Sequence, residues 1–209
     1  MTTDAIILDV DGTIWDSTAI VADAWNEAAR EMNADYEEIT SDVLKNYFGK
    51  TMEDIAAGLF SKVEINERYK LMRLCEEKEQ SYLQSDPCNI TYDGVKATVK
   101  DLSKYVNIYV VSNCQKGYIE LMLEKTGMSE YITDFECYGN TGNGKADNIK
   151  LLIQRNNIKN PVYVGDTSGD AAACKEAGVP FIFASYGFGN VDEYAAKIDS
   201  FSELVALFR

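Results

Sequence analysis

The stretch that decides the fold is residues 5–13, AIILDVDGT. Its apolar start, 5–10, predicts a buried parallel strand, because strands covered on both faces are continuously apolar. Asp9 and Asp11 end this run and project to the same face, since side chains alternate along a strand. Gly12 then allows a sharp turn. The pattern fits either a turn with two solvated acids or a pair of acids that act together.

Apolar runs of the same kind recur along the chain and alternate with helical patterns. Further strands are expected at 106–111, 161–165 and 180–184, and a weaker one at 134–138. Helices are expected between them, at 95–104, 116–126, 145–156 and 168–177. This alternation predicts an α/β fold with a doubly wound parallel sheet. Ligands of such sheets bind beyond the carboxyl ends of the strands, where Asp9 and Asp11 are expected.

Residues 17–84 interrupt this alternation, because they show apolar positions at helical spacing and no strand pattern. We therefore expect a small all-helical domain inserted after the first strand. The expected domains are an α/β core of residues 1–16 and 87–209 and a helical cap of residues 17–86. Within the cap, Thr51 is expected to start a helix. A long charged helix is expected at 66–84, packed through Tyr69, Met72, Cys75 and Tyr82.

The charge and composition of the chain restrict its partners and its location. The chain has 209 residues and a formal net charge of -14, which disfavours binding to nucleic acid or to anionic membranes. A small anionic substrate would then need a local cation, which a divalent metal supplies. No apolar segment is long enough to span a membrane, and no signal peptide is evident. Five scattered cysteines indicate a reducing, cytoplasmic compartment.

The chain contains no histidine. This absence excludes nucleophile systems of the Ser-His-Asp and Cys-His kinds. It also excludes the common zinc sites that use histidine ligands. Hydrolytic chemistry would therefore depend on carboxylates, lysine, hydroxyl groups and an oxygen-bound cation.

A second acidic motif, GDTSGD at 165–170, follows another expected strand. Asp166 would end that strand, and Asp170 would lie in the first turn of the next helix. Asp170 by itself could simply favour a helix N-terminus, but that leaves Asp166 unexplained. A hard cation with oxygen ligands would relieve the repulsion among acids gathered at one edge, and Mg²⁺ is the expected ion. The acids concerned are Asp9, Asp11, Asp166 and Asp170.

Two further features suit an anion at the same edge of the sheet. Ser112 and Asn113 close a strand and offer groups that bind phosphate oxygens, although an ordinary helix cap would look the same. Lys145 follows the segment TGNG and begins a helix, where the macrodipole disfavours a cation unless an anion balances it. A solvated surface lysine is the alternative, and Lys116 and Lys150 compete for the same role.

Taken together, these motifs resemble the haloacid dehalogenase-like hydrolase superfamily. DVDGT, the Ser-Asn strand end, a lysine after a glycine-rich loop and GDTSGD occur in the order of that superfamily's four motifs. The helical segment 17–84 resembles the small cap of its phosphoglycolate phosphatase-like branch. The resemblance covers nearly the whole chain. It implies a Rossmann-like core and an enzyme that hydrolyses a small-molecule phosphate monoester.

The resemblance also implies a mechanism with two carboxylates. Asp9 would be the nucleophile that forms an aspartyl phosphate, and it would also bind Mg²⁺. Asp11 would protonate the departing oxygen and then deprotonate the water that splits the intermediate. Its backbone carbonyl would bind the metal.

The remaining motif residues would bind phosphate or metal. Ser112 and Asn113 would hold the transferring phosphoryl group, and Lys145 would balance its charge during catalysis. Asp166 would bind Mg²⁺ directly, and Asp170 would do so through water.

The cap is expected to select the substrate, and the loop at 46–51, NYFGKT, is the candidate for that role. Gly49 would bend the loop, and Lys50 would contact an anionic or polar leaving group. A simple helix–helix turn is the alternative. Phosphoglycolate, sugar phosphates and nucleoside monophosphates all remain open as substrates. A monomer is the default expectation, with a homodimer as the alternative.

Three other functions compete with hydrolysis. A phosphomutase of the β-phosphoglucomutase type characteristically has a cap histidine, which this chain lacks. A receiver-like phosphoacceptor has no need of a helical insertion. A non-catalytic binding protein on the same fold would not need the complete set of motif residues.

Overall fold

The computed structural model describes residues 3–87 and 89–208. The chain divides into two compact units. The α/β unit comprises Met1–Asp16 and Ile90–Arg209, and the helical unit comprises Ser17–Asn89. The chain passes from one unit to the other between residues 16 and 17 and again between residues 89 and 90.

The α/β unit is built on one parallel sheet of six strands. The strands are β1 (Ala5–Leu8), β2 (Asn107–Ser112), β3 (Asp134–Cys137), β4 (Pro161–Gly165), β5 (Phe181–Ala184) and β6 (Ala196–Ile198). Their order is β3-β2-β1-β4-β5-β6, so the chain extends the sheet first on one side of β1 and then on the other. This order confirms the doubly wound sheet and places its switch point between β1 and β4.

Ten α-helices lie within the described residues. They are α1 (Thr18–Glu31), α2 (Ser41–Lys45), α3 (Met52–Leu59), α4 (Ile65–Ser85), α5 (Val95–Leu102), α6 (Tyr118–Thr126), α7 (Tyr138–Thr141), α8 (Lys145–Arg155), α9 (Ser168–Ala177) and α10 (Leu204–Phe208). The first four form the helical unit. None of the described helices is both long and apolar enough to cross a membrane.

The core of the α/β unit explains why its strands are apolar at every position. All four residues of β1 are buried, because both faces of this central strand are covered. One face of the sheet, including Ile7 and Tyr163, packs against Ile149 and Leu152 of α8 and against Cys174 of α9. The five expected strands are confirmed, with ends that differ by at most two residues.

Strand β6 was not predicted from the sequence. It has only three residues, Ala196, Lys197 and Ile198, and only Ile198 is buried. An edge strand needs no continuous apolar run, because only part of it faces the core. No sequence window of this length distinguishes it from a loop.

Local signals in the helical unit were partly correct. The Thr51 hydroxyl accepts a hydrogen bond from the Asp54 backbone N–H, so Thr51 caps α3 as expected. Helix α4 also forms as expected, with Met72 and Cys75 buried. The prediction that Tyr69 packs was wrong, because its side chain is 54% exposed. Tyr69 lies about 120° around the helix from Cys75, at about 100° per residue, and therefore outside the packed stripe.

Candidate functional site

The loop after β1 makes a tight turn that depends on glycine. The Ile14 N–H donates to the Val10 carbonyl over 2.7 Å, and the Gly12 N–H donates to the Trp15 carbonyl over 2.9 Å. Gly12 has a φ of 81°, which disfavours any side chain. A Cβ atom at this position would lie 2.1 Å from Oδ2 of Asp166. Gly12 therefore allows the loop after β1 to approach the loop after β4.

A buried ion cluster lies at the switch point of the sheet. Asp9 follows β1, Asp166 follows β4, Asp170 lies in the first turn of α9, and Lys145 begins α8. The Lys145 ammonium donates to Oδ1 of Asp9 over 2.9 Å and to Oδ1 of Asp170 over 2.5 Å. All four side chains are buried. The sheet thus brings together residues that the sequence predicted to share one site.

Asp166 is fixed by the loop after β5. The Phe188 backbone N–H donates to Oδ2 of Asp166 over 2.7 Å, and the Thr13 hydroxyl donates to Oδ1 over 3.4 Å. Gly187 lies so close that a Cβ there would be 2.3 Å from the Cβ of Asp166. The Tyr186 hydroxyl donates to the Thr13 carbonyl over 2.9 Å, which ties this loop to the turn after β1.

Asp170 combines a structural role with a place in the ion cluster. Its Oδ2 accepts from the backbone N–H and hydroxyl of Thr167, while its own backbone N–H donates to the Thr167 hydroxyl. This is a capping box at the start of α9, so the helix-start interpretation of Asp170 was correct. Its Oδ1 nevertheless accepts from Lys145. Burial disfavours ionisation of Asp170, but Lys145 and the Thr167 hydrogen bonds outweigh it and lower the pKa.

The other two carboxylates have raised pKa values. Burial raises the pKa of Asp9 to about 7, against the opposing effect of Lys145. Burial, with repulsion from Asp170 and Asp9, raises the pKa of Asp166 to about 8. Burial by itself would lower the pKa of Lys145, but Asp170 and Asp9 raise it overall, so Lys145 stays charged. With only one ammonium beside them, the three buried acids do not all ionise readily, so Asp9 and Asp166 hold their protons to a higher pH than ordinary aspartates.

The same three carboxylates suit a hard divalent cation. Asp9, Asp166 and Asp170 each offer an oxygen, and these oxygens lie within 4.8 Å of one another. Carboxylate oxygens at such separations can surround one small ion, and a charge of +2 would favour the ionised form of all three acids. The donor set thus fits a bound metal ion, as the sequence predicted.

The side chain of Asp11 has different neighbours. Its Oδ1 accepts from Nε1 of Trp15 over 2.9 Å and from the Tyr118 hydroxyl over 2.8 Å. Asp11 is partly exposed, whereas both donors are buried. The sequence placed Asp11 at the site but did not identify these two donors: Tyr118 is 107 residues away along the chain, and Trp15, four residues away, is not marked as a donor by any motif.

Ser112 and Asn113 lie at the same edge of the sheet. Val110 of β2 pairs with Leu8 of β1, so Ser112 is level with the turn that follows Asp9. Ser112 is the last residue of β2 and is buried, and Asn113 is partly buried. Their location agrees with the sequence expectation that they border the acidic residues.

The competing lysines are exposed, unlike Lys145. Lys150 is 44% exposed and pairs with Asp147 and Glu176 on the surface. Lys116 is also exposed. Lys145 is therefore the lysine that the fold selects, and it is not a solvated surface residue.

The loop at 46–51 can be described within the helical unit. Gly49 has a φ of 92°, so the expected glycine bend is present. Lys50 is exposed, and its ammonium lies 4.7 Å from the centre of the Tyr47 ring. Such a cation–π contact orders an exposed lysine side chain.

Sequence reasoning also missed Tyr163, which lies beneath the ion cluster. Its hydroxyl donates to the Val111 carbonyl over 2.8 Å, and its ring centre lies 5.8 Å from the Lys145 ammonium. In the sequence Tyr163 is one of several apolar residues in a buried strand. Its contact with Lys145 forms only because α8 packs against the sheet, so the sequence gives no sign of it.

Comparison with known proteins identifies the family of this chain. The family model described as haloacid dehalogenase-like hydrolase matches residues 6–184. A phosphoglycolate phosphatase of Vibrio vulnificus (strain CMCP6) is 25% identical over 206 residues, which cover 94% of this chain and 90% of that protein.

Two solved structures show the same fold. A predicted phosphoglycolate phosphatase of Haemophilus somnus has a TM-score of 0.86 at 19% identity, with complete coverage of both chains. CbbY of Rhodobacter sphaeroides, solved as a mutant in complex with xylulose-(1,5)bisphosphate, has a TM-score of 0.80 at 18% identity and covers 97% of this chain and 96% of its own. Because the family model spans most of the chain and includes the motifs that build the ion cluster, this protein belongs to the haloacid dehalogenase-like hydrolase family.

Proposed function

We propose that this hydrolase is a Mg²⁺-dependent phosphatase that cleaves a small phosphate monoester through an aspartyl phosphate on Asp9. The observation that carries this proposal is the buried cluster of Asp9, Asp166 and Asp170 around Lys145 at the switch point of the sheet. Three acids buried together suit a divalent cation, and such a cation would in turn attract an anionic substrate to the site.

The first chemical step makes one bond and breaks one bond. An Asp9 carboxylate oxygen attacks phosphorus in line, and the bond from phosphorus to the alcohol oxygen breaks. Asp11 gives its proton to that oxygen, so the alcohol leaves neutral. Lys145 donates to Oδ1 of Asp9 and thereby fixes the orientation of the nucleophile before substrate binds.

The second step returns the enzyme to its starting state. Asp11, now a carboxylate, takes a proton from water as the water oxygen attacks phosphorus. The bond between phosphorus and Asp9 then breaks, and inorganic phosphate leaves. Dividing hydrolysis into two displacements makes each step easier than direct attack by water.

Charge stabilisation in both steps would come from groups around the phosphoryl oxygens. Ser112, the backbone of Asn113 and Lys145 are proposed to bind these oxygens. When bound, Mg²⁺ would neutralise phosphoryl charge, held by Asp9, Asp166 and the Asp11 carbonyl. Asp170 would act through a metal-bound water, which agrees with its direct contacts to Lys145 and Thr167.

The substrate class follows from the relatives and the surface charge. Curated relatives are phosphoglycolate phosphatases, and CbbY was solved with a sugar bisphosphate. We therefore propose a small phosphate ester, with phosphoglycolate first and sugar phosphates next. The net charge of -14 argues against nucleic acid and membrane partners. We also propose a cytoplasmic location, and a monomer rather than a homodimer.

The helical unit is proposed to act as the cap that selects the leaving group. Within it, Gly49 bends the loop at 46–51, and Lys50 supplies an ordered, exposed cation. A cation of this kind suits an anionic leaving group such as glycolate.

Release of inorganic phosphate tests the proposal directly. A panel of phosphoglycolate, sugar phosphates, nucleoside monophosphates and 4-nitrophenyl phosphate would be assayed with Mg²⁺ or with a chelator. Asp9→Asn should lower turnover by about 10⁴-fold or more, because the nucleophile is lost. Asp147→Asn, an exposed acid-to-amide control, should not lower turnover.

Two results would contradict the proposal. Turnover by Asp9→Asn close to that of the wild type would exclude Asp9 as the nucleophile. Isomerised sugar phosphate without free phosphate would identify a mutase, and a long-lived phosphoenzyme would identify a receiver-like protein.

A further inference from the structure

Two buried aromatic side chains donate to the same oxygen of Asp11. Nε1 of Trp15 lies 2.9 Å from Oδ1, and the Tyr118 hydroxyl lies 2.8 Å from it. Each donor residue is only 1% exposed, while Asp11 is partly exposed. Neither donor residue lies in the sequence motifs that define the site.

The two donors come from separate elements and support each other. The turn after β1 holds Trp15, whose backbone accepts from the Gly12 N–H, while Tyr118 is the first residue of α6. Their rings pack edge to face, with centres 5.6 Å apart and an angle of 81° between planes. This packing restricts both donors, so the orientation of Asp11 is set by a rigid aromatic pair.

The arrangement distinguishes the two oxygens of one carboxylate. Both aromatic donors converge on Oδ1, so they fix the plane of the carboxylate and the direction in which Oδ2 points. A carboxylate that rotated about its Cβ–Cγ bond would exchange the roles of its oxygens and lose alignment with the reacting atoms. Alignment of this kind contributes to the rate of proton transfer because the acid must lie within hydrogen-bond reach of its acceptor.

We propose that Tyr118 and Trp15 are positioning residues that hold Asp11 so that Oδ2 carries the transferred proton. This proposal rests on the proposed function, in which Asp11 is the general acid and base. In the first step the proton on Oδ2 moves to the alcohol oxygen as its bond to phosphorus breaks. In the second step Oδ2 takes a proton from the attacking water.

Leaving groups that need no proton provide the test. Nitrophenolate leaves as a stable anion and needs no proton. The alkoxide of an alkyl phosphate is a poor leaving group and must be protonated as it departs. Loss of correct orientation at Asp11 should therefore slow phosphoenzyme formation from an alkyl phosphate and spare formation from 4-nitrophenyl phosphate. Single-turnover measurements are required, because the second step uses Asp11 for every substrate.

Tyr118→Phe removes only the hydroxyl and keeps the ring that packs on Trp15. We expect the single-turnover rate with the best alkyl phosphate from the panel to fall about 10-fold. The substrate concentration that gives half of the maximal rate should not change. The corresponding rate with 4-nitrophenyl phosphate should not fall. Tyr105→Phe, which changes an exposed tyrosine, is the matched control and should alter neither rate.

Trp15→Phe removes the second donor and, like Tyr118→Phe, should lower the rate with the alkyl phosphate and spare the rate with 4-nitrophenyl phosphate. If both variants lose the same fraction of the rate with each substrate, the two residues have a merely structural role and the proposal is overturned. It is also overturned if neither variant lowers the rate with the alkyl phosphate. Asp11→Asn separates this result from failure of the proposed function. If that variant retains alkyl phosphate turnover, Asp11 is not the acid, and the mechanism itself fails.

Discussion

The two units of this protein bury polar groups in different ways. In the helical unit, Nε1 of Trp25 donates to Oε2 of Glu79 over 2.8 Å, and both side chains are buried. Asn26 likewise exchanges hydrogen bonds with the backbone of Ile39. Each of these buried groups has a partner that satisfies it, and each joins two segments of the same unit.

The α/β unit instead buries three acids around one lysine. Asp9, Asp166 and Asp170 share one buried lysine, and the pKa values of Asp9 and Asp166 are raised. Repulsion of this kind lowers stability unless a ligand relieves it. The comparison teaches that single buried polar groups with hydrogen-bond partners join segments of a unit, whereas several acids buried together around one lysine indicate a site that binds a cation.

Replacing the central cation tests this contrast most severely. Lys145→Met should lower the free energy of unfolding without metal by about 3–5 kcal/mol, because it leaves buried carboxylates without their partner. Turnover should fall about 10²–10³-fold through lost charge stabilisation. Chemical denaturation and phosphate release measure the two effects.

Lys150→Met is the matched control, since Lys150 is 44% exposed and pairs only at the surface. It should change the free energy of unfolding by no more than about 0.5 kcal/mol. Wild-type turnover in Lys145→Met would remove Lys145 from the catalytic set.

The pH dependence of stability without metal tests whether Asp9 and Asp166 have raised pKa values. Asp9 and Asp166 have pKa values of about 7 and about 8 when folded, above the value of about 3.9 for an unfolded aspartate. Between these limits the folded state holds protons that the unfolded state has lost. Their contribution to the free energy of unfolding is therefore present at low pH and is lost as pH rises towards 8.

Mg²⁺ should offset this loss, because it binds the ionised carboxylates. We expect Mg²⁺ to raise Tm more at pH 8.0 than at pH 5.5, by about 3 °C or more. For a chain of this size, 1 kcal/mol of stability corresponds to about 2–4 °C in Tm. Asp166→Asn should raise metal-free Tm at pH 8.0 and reduce the Mg²⁺ effect. A Mg²⁺ effect that is independent of pH would contradict the assignment.

A substitution in the helical unit should lower stability without lowering turnover. Trp25→Phe removes the donor to Glu79 and should lower the free energy of unfolding by about 1–3 kcal/mol, because a buried carboxylate loses a hydrogen bond. Turnover of 4-nitrophenyl phosphate by the folded protein should not change. Denaturation curves and steady-state assays on the same sample separate the two quantities, and a loss of turnover without a loss of stability would contradict the structural role.

The smallest expected effect concerns substrate choice. Lys50→Ala should raise KM for phosphoglycolate about 5-fold, which corresponds to about 1 kcal/mol for an exposed charge pair, and leave kcat unchanged. KM for 4-nitrophenyl phosphate should stay constant, as should both constants in the control Lys45→Ala. An unchanged substrate profile in Lys50→Ala would mean that this lysine does not contact the leaving group.

Much of the fold could be predicted because its signals are local. A continuous apolar run ending in acids predicts a buried strand with its carboxyl end at a ligand site, as for Asp9 and Asp166. Thr51 and Thr167 start helices through hydrogen bonds to residues three positions away. Tyr69 was misplaced because spacing alone does not say which side of a helix meets its neighbour.

The sequence by itself determined five of the six strands, the glycine turn and the acids that end β1 and β4, since each depends on residues a few positions apart. The sequence favoured Lys145, but only the packing of α8 shows that Lys145 contacts the acids while Lys150 stays at the surface. Tertiary structure also decided that Trp15 and Tyr118 meet on one oxygen of Asp11. Contacts between residues more than a hundred positions apart arise only when the strand order brings distant carboxyl ends together.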